Sequence, residues 1–501
     1  MKALRLQLFL SFVALAGVLH AQQMLSSSSA KPAVPVVDTR QPSSMEITTS
    51  SAEARTRFEH GLAQMDTLHR EAALQEWRDA ARVDPKFALA HIFLAMLSRD
   101  PAEQVKERER ALATHKFAGK EERLIIDWIA NSNQSRWVPA IQAMNEALHE
   151  YPRDKYLAWL GGLWLTSQRQ SERAILLFER AASLDPHFAD PLNQAAYCYA
   201  RLGNFEKASA DMQHYAELLP TEANPQDSLA EISRMAGKFD EALAHYHESL
   251  RIDPQFVDSQ MGLGDTYALM QEEDKAREEY ARAMKKAVTH VQATTIALQS
   301  ASTYARERDF AKADAAFQEV AKQAHKNDLG ALEAEAWRMM SVYQKDNSRA
   351  MELLAKSESV VHEPHTMSAA AREQELALIL RTRVGRAVHD GSMNDAHAAL
   401  KRLEAVAAAN SSGLVQFSFN GAQGSVLLAQ GQYREAIGRL EDDDRNPFSI
   451  QRLIVAYQKT GAVDKAEKMS HRLANFYEPT IEQAVVVPEF RKTSAAMKDR
   501  N

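Results

Sequence analysis

Small, large and polar side chains follow one another along the central part of this chain in an order that repeats every 34 residues. The repeat is marked by prolines, each of which follows a large side chain by eight residues and an alanine by twelve. The three sets are Pro152, Pro186, Pro220 and Pro254; Met144, Phe178, Met212 and Tyr246; and Ala140, Ala174, Ala208 and Ala242. A constant period of this length predicts an array of repeated structural units.

Each unit is predicted to be a pair of helices joined by a short turn. Small residues recur where two helices must nearly touch, at Gly162, Ala196 and Ala230 in the first helix and at the alanines in the second. Gly203 and Gly237 fall between the helices, where a residue in the left-handed conformation ends a helix at little cost. A helix of about 14 residues is about 21 Å long and too short to persist alone in water. The units are therefore expected to be stabilised by stacking on their neighbours.

This spacing resembles that of the tetratricopeptide repeat family, whose signature ends with alanine, a large aromatic residue and proline in the second helix. The resemblance covers roughly residues 52–475. It implies an all-α fold, an α-solenoid of about eleven or twelve helical hairpins that wind into a right-handed superhelix. The positions that define the clearest repeats are Gly162, Ala174, Phe178, Pro186, Ala208, Pro220, Ala242, Tyr246 and Pro254.

Departures from the period divide the chain into segments. An Arg/Glu-rich stretch within residues 88–135 fits no clean second helix, and the sequence around Val360 interrupts the array before a long helix at 368–389. Val485-Val486-Val487-Pro488 indicates that the end of the chain is not a regular helix throughout. The predicted segments are a signal peptide (1–21), a disordered Ser/Pro linker (22–51), regular repeats (52–290, irregular at 88–135), degenerate repeats (291–358), a block after a joint (359–475), and a cap with a frayed tail (476–501).

The first 21 residues have the pattern of an export signal. Lys2 and Arg5 precede an apolar run at 6–18, and Ala21 offers a small residue for cleavage. We therefore expect a periplasmic or secreted protein, with an anchor formed by an uncleaved signal as the alternative. No later segment is apolar enough to predict stable membrane insertion. The single cysteine, Cys198, has no partner for an internal disulfide and is interpreted as a buried structural thiol.

Composition and charge exclude some functions. Glycine and proline are scarce, with 18 and 16 in 501 residues, which favours helices over strands. The net charge is −7, so no basic field is available to attract phosphates, and nucleic acid is not expected as a partner.

The sequence predicts no catalytic site, no metal site and no cofactor. It contains no Gly-rich phosphate loop, no GxSxG turn and no HExxH pair. The stretch His362-Glu363-Pro364-His365 has the wrong spacing for a metal site on one helix and is interpreted as a polar linker. Two alternatives remain open. One is an enzyme or enzyme accessory with a pocket in the irregular regions 88–135 or 360–390, and the other is a self-associating array.

The family resemblance implies a concave face lined by the first helix of each repeat, where a protein or peptide segment would bind. On this face the side chains change from aromatic to acidic along the array, which predicts attraction for a basic segment. The basic clamp that related proteins use for a terminal carboxylate is absent, because Asp190, Asn193 and Asp227 occupy the matching places. The predicted groove residues are Trp159, Asn193, Tyr197, Arg201, Asp227, Glu231, Arg234 and Asp265.

Overall fold

A computed structural model describes residues 45–66, 69–363 and 367–498 of the chain. The predicted signal peptide, residues 22–44 of the predicted linker, and Pro364 and His365 lie outside the described residues. The described residues form 25 α-helices and no strand, which confirms the all-α solenoid. Within this part of the chain, no helix combines the length and the apolar character needed to cross a membrane.

Twenty-four of the helices pair as consecutive antiparallel hairpins, and the last helix stands alone. The first six hairpins are α1 and α2 (Ala52–Asp66, Arg70–Val83), α3 and α4 (Ala88–Leu97, Pro101–Thr114), α5 and α6 (Lys120–Asn133, Trp137–Glu150), α7 and α8 (Lys155–Ser167, Ser171–Leu184), α9 and α10 (Asp190–Arg201, Phe205–Leu218), and α11 and α12 (Ala223–Met235, Phe239–Ile252). The next six are α13 and α14 (Val257–Leu269, Glu273–Lys286), α15 and α16 (His290–Glu307, Phe310–Lys326), α17 and α18 (Gly330–Tyr343, Asn347–His362), α19 and α20 (Ala369–His389, Met393–Ala409), α21 and α22 (Gly413–Ala429, Tyr433–Glu441), and α23 and α24 (Pro447–Lys459, Val463–Ala474). Helix α25 spans Ile481–Lys498.

The two helices of a hairpin meet where a glycine of the first faces a large side chain of the second. A Cβ added at Gly162 would lie 2.4 Å from Phe178 Cε1, closer than two carbon atoms can approach. The same contact, always between residues 16 apart in sequence, occurs at Gly61 with Trp77, Gly264 with Tyr280, and Gly424 with Leu440. Close packing of this kind buries each large side chain almost completely, which contributes about 1.5–3 kcal/mol for each one.

The turns inside the hairpins use the left-handed conformation that the sequence predicted. Gly203 and Gly237 have φ angles of +79° and +77°. In other hairpins the same place is taken by residues that carry a Cβ, including Arg169 with φ 58° and Gln271 with φ 64°. Such residues cost about 1–2 kcal/mol there, so the hairpin packing is strong enough to hold non-glycine turns.

The expectation that residues 88–135 lack a regular second helix was wrong. Helix α4 begins where the Asp100 carboxylate accepts a hydrogen bond from Ala102 N at 2.9 Å, with Pro101 in the first helical turn. Its charged residues are not all solvated, because the Glu107 carboxylate is buried 2.6 Å from His91 Nδ1. A buried polar contact between two helices hides the amphipathic pattern that the sequence would otherwise show.

The part of the predicted disordered linker that the structure describes is attached to the first hairpins. Met45 is buried, Glu46 N donates to Glu121 Oε2 at 3.2 Å, and Thr48 N donates to Glu122 Oε1 at 2.8 Å. Two carboxylates of α5 therefore hold residues 45–51 in place by accepting their backbone hydrogen bonds.

The prediction of an irregular C-terminal cap was also wrong, because α25 continues through Pro488. The helix starts with a cap in which Gln483 N donates to Thr480 Oγ1 at 3.1 Å. Val486 and Val487 are buried against Ile450 and neighbouring apolar side chains of α23 and α24. This burial offsets the backbone hydrogen bond that proline removes.

The first prediction tests the packing between the hairpin helices. Ala208 is fully buried, so Ala208→Phe should overpack the hairpin and lower the free energy of unfolding by about 1–3 kcal/mol. Ala210 is exposed on the same helix, so Ala210→Phe is a matched control with little expected effect. Thermal unfolding followed by circular dichroism measures both, and equal midpoints for the two variants would show that the contact is not close-packed.

The second prediction concerns pH. Burial, together with the neighbouring Asp154, raises the pKa of Glu121 to about 8 from its ordinary 4.5. The folded state then holds this proton more tightly than the unfolded state, so stability falls as pH rises from 4.5 through 8.

Glu121→Gln removes this loss. The variant should match the wild type near pH 5 and exceed it at pH 9, by about 1–3 kcal/mol. Urea unfolding at both pH values measures the difference. Glu146 is exposed on α6, and Glu146→Gln should follow the wild type at both. If Glu121→Gln differed from wild type by the same unfolding free energy at both pH values, that would contradict the raised pKa of Glu121.

Candidate functional site

The predicted groove residues lie on four consecutive first helices, α7, α9, α11 and α13, but most of them are not open to solvent. Trp159 was expected to be exposed, and that prediction was wrong. Its ring is 1% exposed, packs 5.9 Å from the Phe188 ring, and donates from Nε1 to the Asp190 carboxylate. The other buried members of the predicted set are Asn193, Asp227, Arg234 and Asp265.

Polar side chains on this face bond to each other across successive repeats. Tyr197 OH donates to Glu231 Oε2 at 2.8 Å over 34 residues, and Ser259 Oγ donates to Asp227 Oδ1 at 2.6 Å over 32 residues. The Trp159 bond to Asp190 spans 31 residues in the same way. We call this set of bonds the polar ladder. It links neighbouring hairpins at positions where a purely apolar contact is absent.

The charges of the polar ladder are partly neutralised by burial and by pairing. Burial raises the pKa of Asp227 well above its ordinary value, and the neighbouring Asp258 raises it further. Burial also raises the pKa of Asp265, which accepts a hydrogen bond from Tyr280 OH at 2.7 Å. Arg234 donates from Nη2 to Glu231 Oε1 at 3.1 Å. The acidic face therefore offers far less free negative charge than the sequence suggests.

One predicted groove residue, Arg201, lines a large open cleft. The cleft has a volume of about 1120 Å³ and lies between helices α8–α11 on one side and α21–α24 on the other. Charges of both signs line it, and several are paired: Arg472 Nη1 lies 2.5 Å from Asp444 Oδ2, and Lys465 Nζ lies 3.7 Å from Glu441 Oε1. Burial, with the positive charge of Arg445 nearby, lowers the pKa of Arg169 on its wall to about 10.

A segment of the chain without regular secondary structure, residues 476–480, lies at the rim of this cleft, and Phe476, Tyr477 and Glu478 line it. The Tyr477 ring meets the Phe239 ring edge-on at 5.1 Å and lies against Gly237, where an added Cβ would be 2.5 Å from Tyr477 Cε2. Tyr477 O accepts a hydrogen bond from Arg234 Nη1 at 3.4 Å. Glu478 Oε1 accepts from Arg445 Nη2 at 2.7 Å. We call residues 476–480 the rim segment.

Sequence reasoning missed the rim segment because it follows the last repeat, where the 34-residue period no longer applies. The two neighbouring aromatic residues Phe476 and Tyr477, directly before Glu478-Pro479, were the available signal. Such rings rarely remain in water next to an end of regular structure.

Two further observations concern metal-ligating and nucleophilic side chains. Among the described residues, no three His, Cys, Asp or Glu side chains come together in a way that could hold a metal ion. Cys198 is fully buried, as expected for a structural thiol, with its Sγ 3.4 Å from Thr166 Oγ1.

Comparison with known proteins identifies the repeats. Residues 234–295 match the family model described as tetratricopeptide repeat. Among curated proteins, cell division cycle protein 27 homolog A of Arabidopsis thaliana is 24% identical over 108 residues, or 22% of this chain, and the match spans only about 15% of that protein's length.

Two of the solved structures that match this chain do so at low identity and low TM-score. The Cut9 and Hcn1 hetero-tetramer of the APC/C shows 14% identity and a TM-score of 0.42, covering 90% of this chain and 81% of the matched one. A tetratricopeptide repeat protein of Parabacteroides merdae shows 14% identity and a TM-score of 0.36, covering 57% of this chain and 99% of that one. The tetratricopeptide repeats that the 34-residue spacing indicated are thus confirmed by the family model and by the hairpins themselves.

A third prediction tests how the rim segment is held. Tyr477→Ala removes the ring that packs on Gly237 and Phe239, so the amides of the rim segment should exchange hydrogen faster while those of α23 stay unchanged. Tyr477→Phe is the matched control, because it keeps the ring and removes only the hydroxyl that donates to Asn475. Hydrogen exchange followed by mass spectrometry measures this. Equal exchange in the two variants would mean that the ring does not hold the segment.

Proposed function

We propose that this protein is a non-catalytic scaffold that binds a protein or peptide segment in the cleft between helices α8–α11 and α21–α24. The observation that carries the proposal is the rim segment, a stretch of non-helical chain already bound at the edge of the cleft. Its contacts are those by which a peptide from another molecule would be held. From the pattern of residues 1–21, we further propose that this binding takes place after export.

The contacts of the rim segment suggest what such a peptide needs. Gly237 leaves room for an aromatic ring, and Phe239 meets that ring edge-on, an arrangement worth about 0.5–1.5 kcal/mol beyond burial. Arg234 supplies a charged donor for a backbone carbonyl. An aromatic residue in an extended stretch satisfies both, whatever the side chains on either side.

The size and charge of the cleft agree with a segment of protein. Its volume of about 1120 Å³ exceeds the roughly 300–1000 Å³ of most small-molecule sites. The carboxylates that made a basic partner attractive in the sequence are occupied in the polar ladder. The proposal therefore keeps a protein or peptide as the partner but no longer requires it to be basic.

The test uses the full chain and a fluorescently labelled peptide that copies residues 474–483. In wild type, the attached rim segment competes at a high effective concentration, so the peptide should bind weakly. The Tyr477→Ala chain should bind the same peptide about tenfold more tightly, because its own segment holds the site less well. Fluorescence anisotropy measures both affinities.

Two controls define the result. A peptide with alanine in place of its tyrosine should lose binding to both chains, and Tyr477→Phe should behave as wild type. If the labelled peptide binds neither chain, or binds wild type and Tyr477→Ala equally, this face is not a peptide-binding surface.

A further inference from the structure

A second cavity, separate from the cleft, lies among the first helices of the last repeats. It has a volume of about 610 Å³ and is bounded by α17, α19, α21 and α23, with α25 on the remaining side. The part of α19 that lines it, Leu378–His389, belongs to the region 360–390 where the sequence left a pocket open as an alternative. Five helices line this one cavity, which we call the basic cavity.

Several cations face this cavity, and two of them are already neutralised. Arg338 Nε lies 2.7 Å from Glu375 Oε1, and Arg381 forms an ion pair with Asp443. These two arginines link neighbouring helices, and the carboxylates that they contact already neutralise most of their charge.

Arg452 is different, because the described part of the chain gives it no hydrogen bond and no ion pair. Its guanidinium lies 5.7 Å from the centre of the Phe448 ring. Gly385 leaves the space in front of it open, since a Cβ there would lie 3.4 Å from Arg452 Nη2. Burial, with the positive charge of Arg381 nearby, lowers the pKa of Arg452 to about 10, so it remains charged at neutral pH. Asp443, which is already paired with Arg381, opposes this shift, and burial of a cation without a carboxylate in direct contact is unfavourable.

Two more cations reinforce this field. Among the described residues Arg386 donates to the neutral side chain of Asn347, from Nε at 3.3 Å, and forms no ion pair. Burial lowers the pKa of Arg386, while Asp390 and Asp346 oppose that shift. Lys345 lies 5.8 Å from the centre of the Phe310 ring and has no ion pair within the described ranges. Glu482 is the one carboxylate among the described residues that line the cavity. The wall thus carries three unpaired cations against a single acid.

The rest of the wall is largely apolar, with Val342, Leu378, Ala422, Phe448 and Val485. The volume of about 610 Å³ lies within the range of about 300–1000 Å³ typical of small-molecule sites. A cavity with cations at one end and an apolar wall elsewhere matches a ligand that has an anionic head group and an apolar body.

We propose that the basic cavity binds a small organic anion, a carboxylate or phosphate monoester attached to an apolar group, with Arg452 as its main counter-charge and Arg386 beside it. The apolar group lies along Phe448, Leu378 and Val485. This binding does not depend on the peptide-binding function proposed for the cleft, since the two sites have different walls.

The test is isothermal titration calorimetry on the full chain with four probes: sodium octanoate, octyl phosphate, 1-octanol and inorganic phosphate. Octanoate or octyl phosphate should bind, and the tighter of the two identifies the head group. Octanol, with the same apolar chain but no charge, and inorganic phosphate, with charge but no chain, should each bind at least about tenfold more weakly.

Arg452→Gln should weaken binding of the anionic probe by about tenfold or more, while Arg452→Lys, which keeps the charge, should retain part of it. Arg434 is exposed on α22, and Arg434→Gln is the matched control that should bind as wild type. Because Arg452 has no partner to lose, Arg452→Gln should unfold at the wild-type temperature or above. Equal affinity of Arg452→Gln and wild type, equal binding of octanol and octanoate, or no binding of any probe would overturn the proposal.

Discussion

The structure depends on one contact, the close approach of two short helices at a small residue that faces a large ring. Neither helix of a hairpin is long enough to be stable alone, so the pair must share a buried surface. Gly162 against Phe178 and Gly264 against Tyr280 show how it is achieved, with no room for even one added carbon atom. The sixteen-residue separation of each pair sets the position of the turn, and the contact itself sets the distance between the two helix axes. Once that distance is set, each hairpin has a second face that can only be buried by the next hairpin.

Stacking the hairpins at a constant distance brings equivalent side chains of the first helices side by side. Their polar groups are then buried and must find partners, because an unpaired buried donor or acceptor costs about 1–3 kcal/mol. The bond of Tyr197 to Glu231 and that of Ser259 to Asp227 are the result. The residues that give the sequence its acidic face are therefore structural links between repeats, and the surface left for binding lies at the edge of the array rather than along its centre.

The sequence predicted the hairpins between about residues 137 and 286 because each class of residue recurs there at one place in the period. It failed at α4, where the partner of Glu107 is His91 on another helix, and at α25, where burial of Val486 and Val487 outweighs a proline. The predicted groove residues lie on the first helices of their hairpins, as the sequence indicated, but their accessibility was not predictable. It depends on side chains one repeat away and on the rim segment, which no local pattern connects to α11 and α12.

The end of the chain borders both the cleft and the basic cavity. The rim segment and α25, which follow each other there, are held with different strength. Val487 is fully buried and Ile481 nearly so, each contributing about 1.5–3 kcal/mol, which anchors α25 as a wall of the basic cavity. In the rim segment just before it, Phe476 packs in the same apolar cluster as Val487. Tyr477 and Glu478, by contrast, are held by one partly exposed ring, a hydrogen bond of 3.4 Å from Arg234 and a partly exposed ion pair with Arg445. A hydrogen bond of that length contributes little, and a surface ion pair contributes about 1 kcal/mol at most. An incoming peptide therefore needs to displace only Tyr477 and Glu478, while Phe476 and α25 stay in place. On this argument the two sites can be occupied independently although the same stretch of chain borders both.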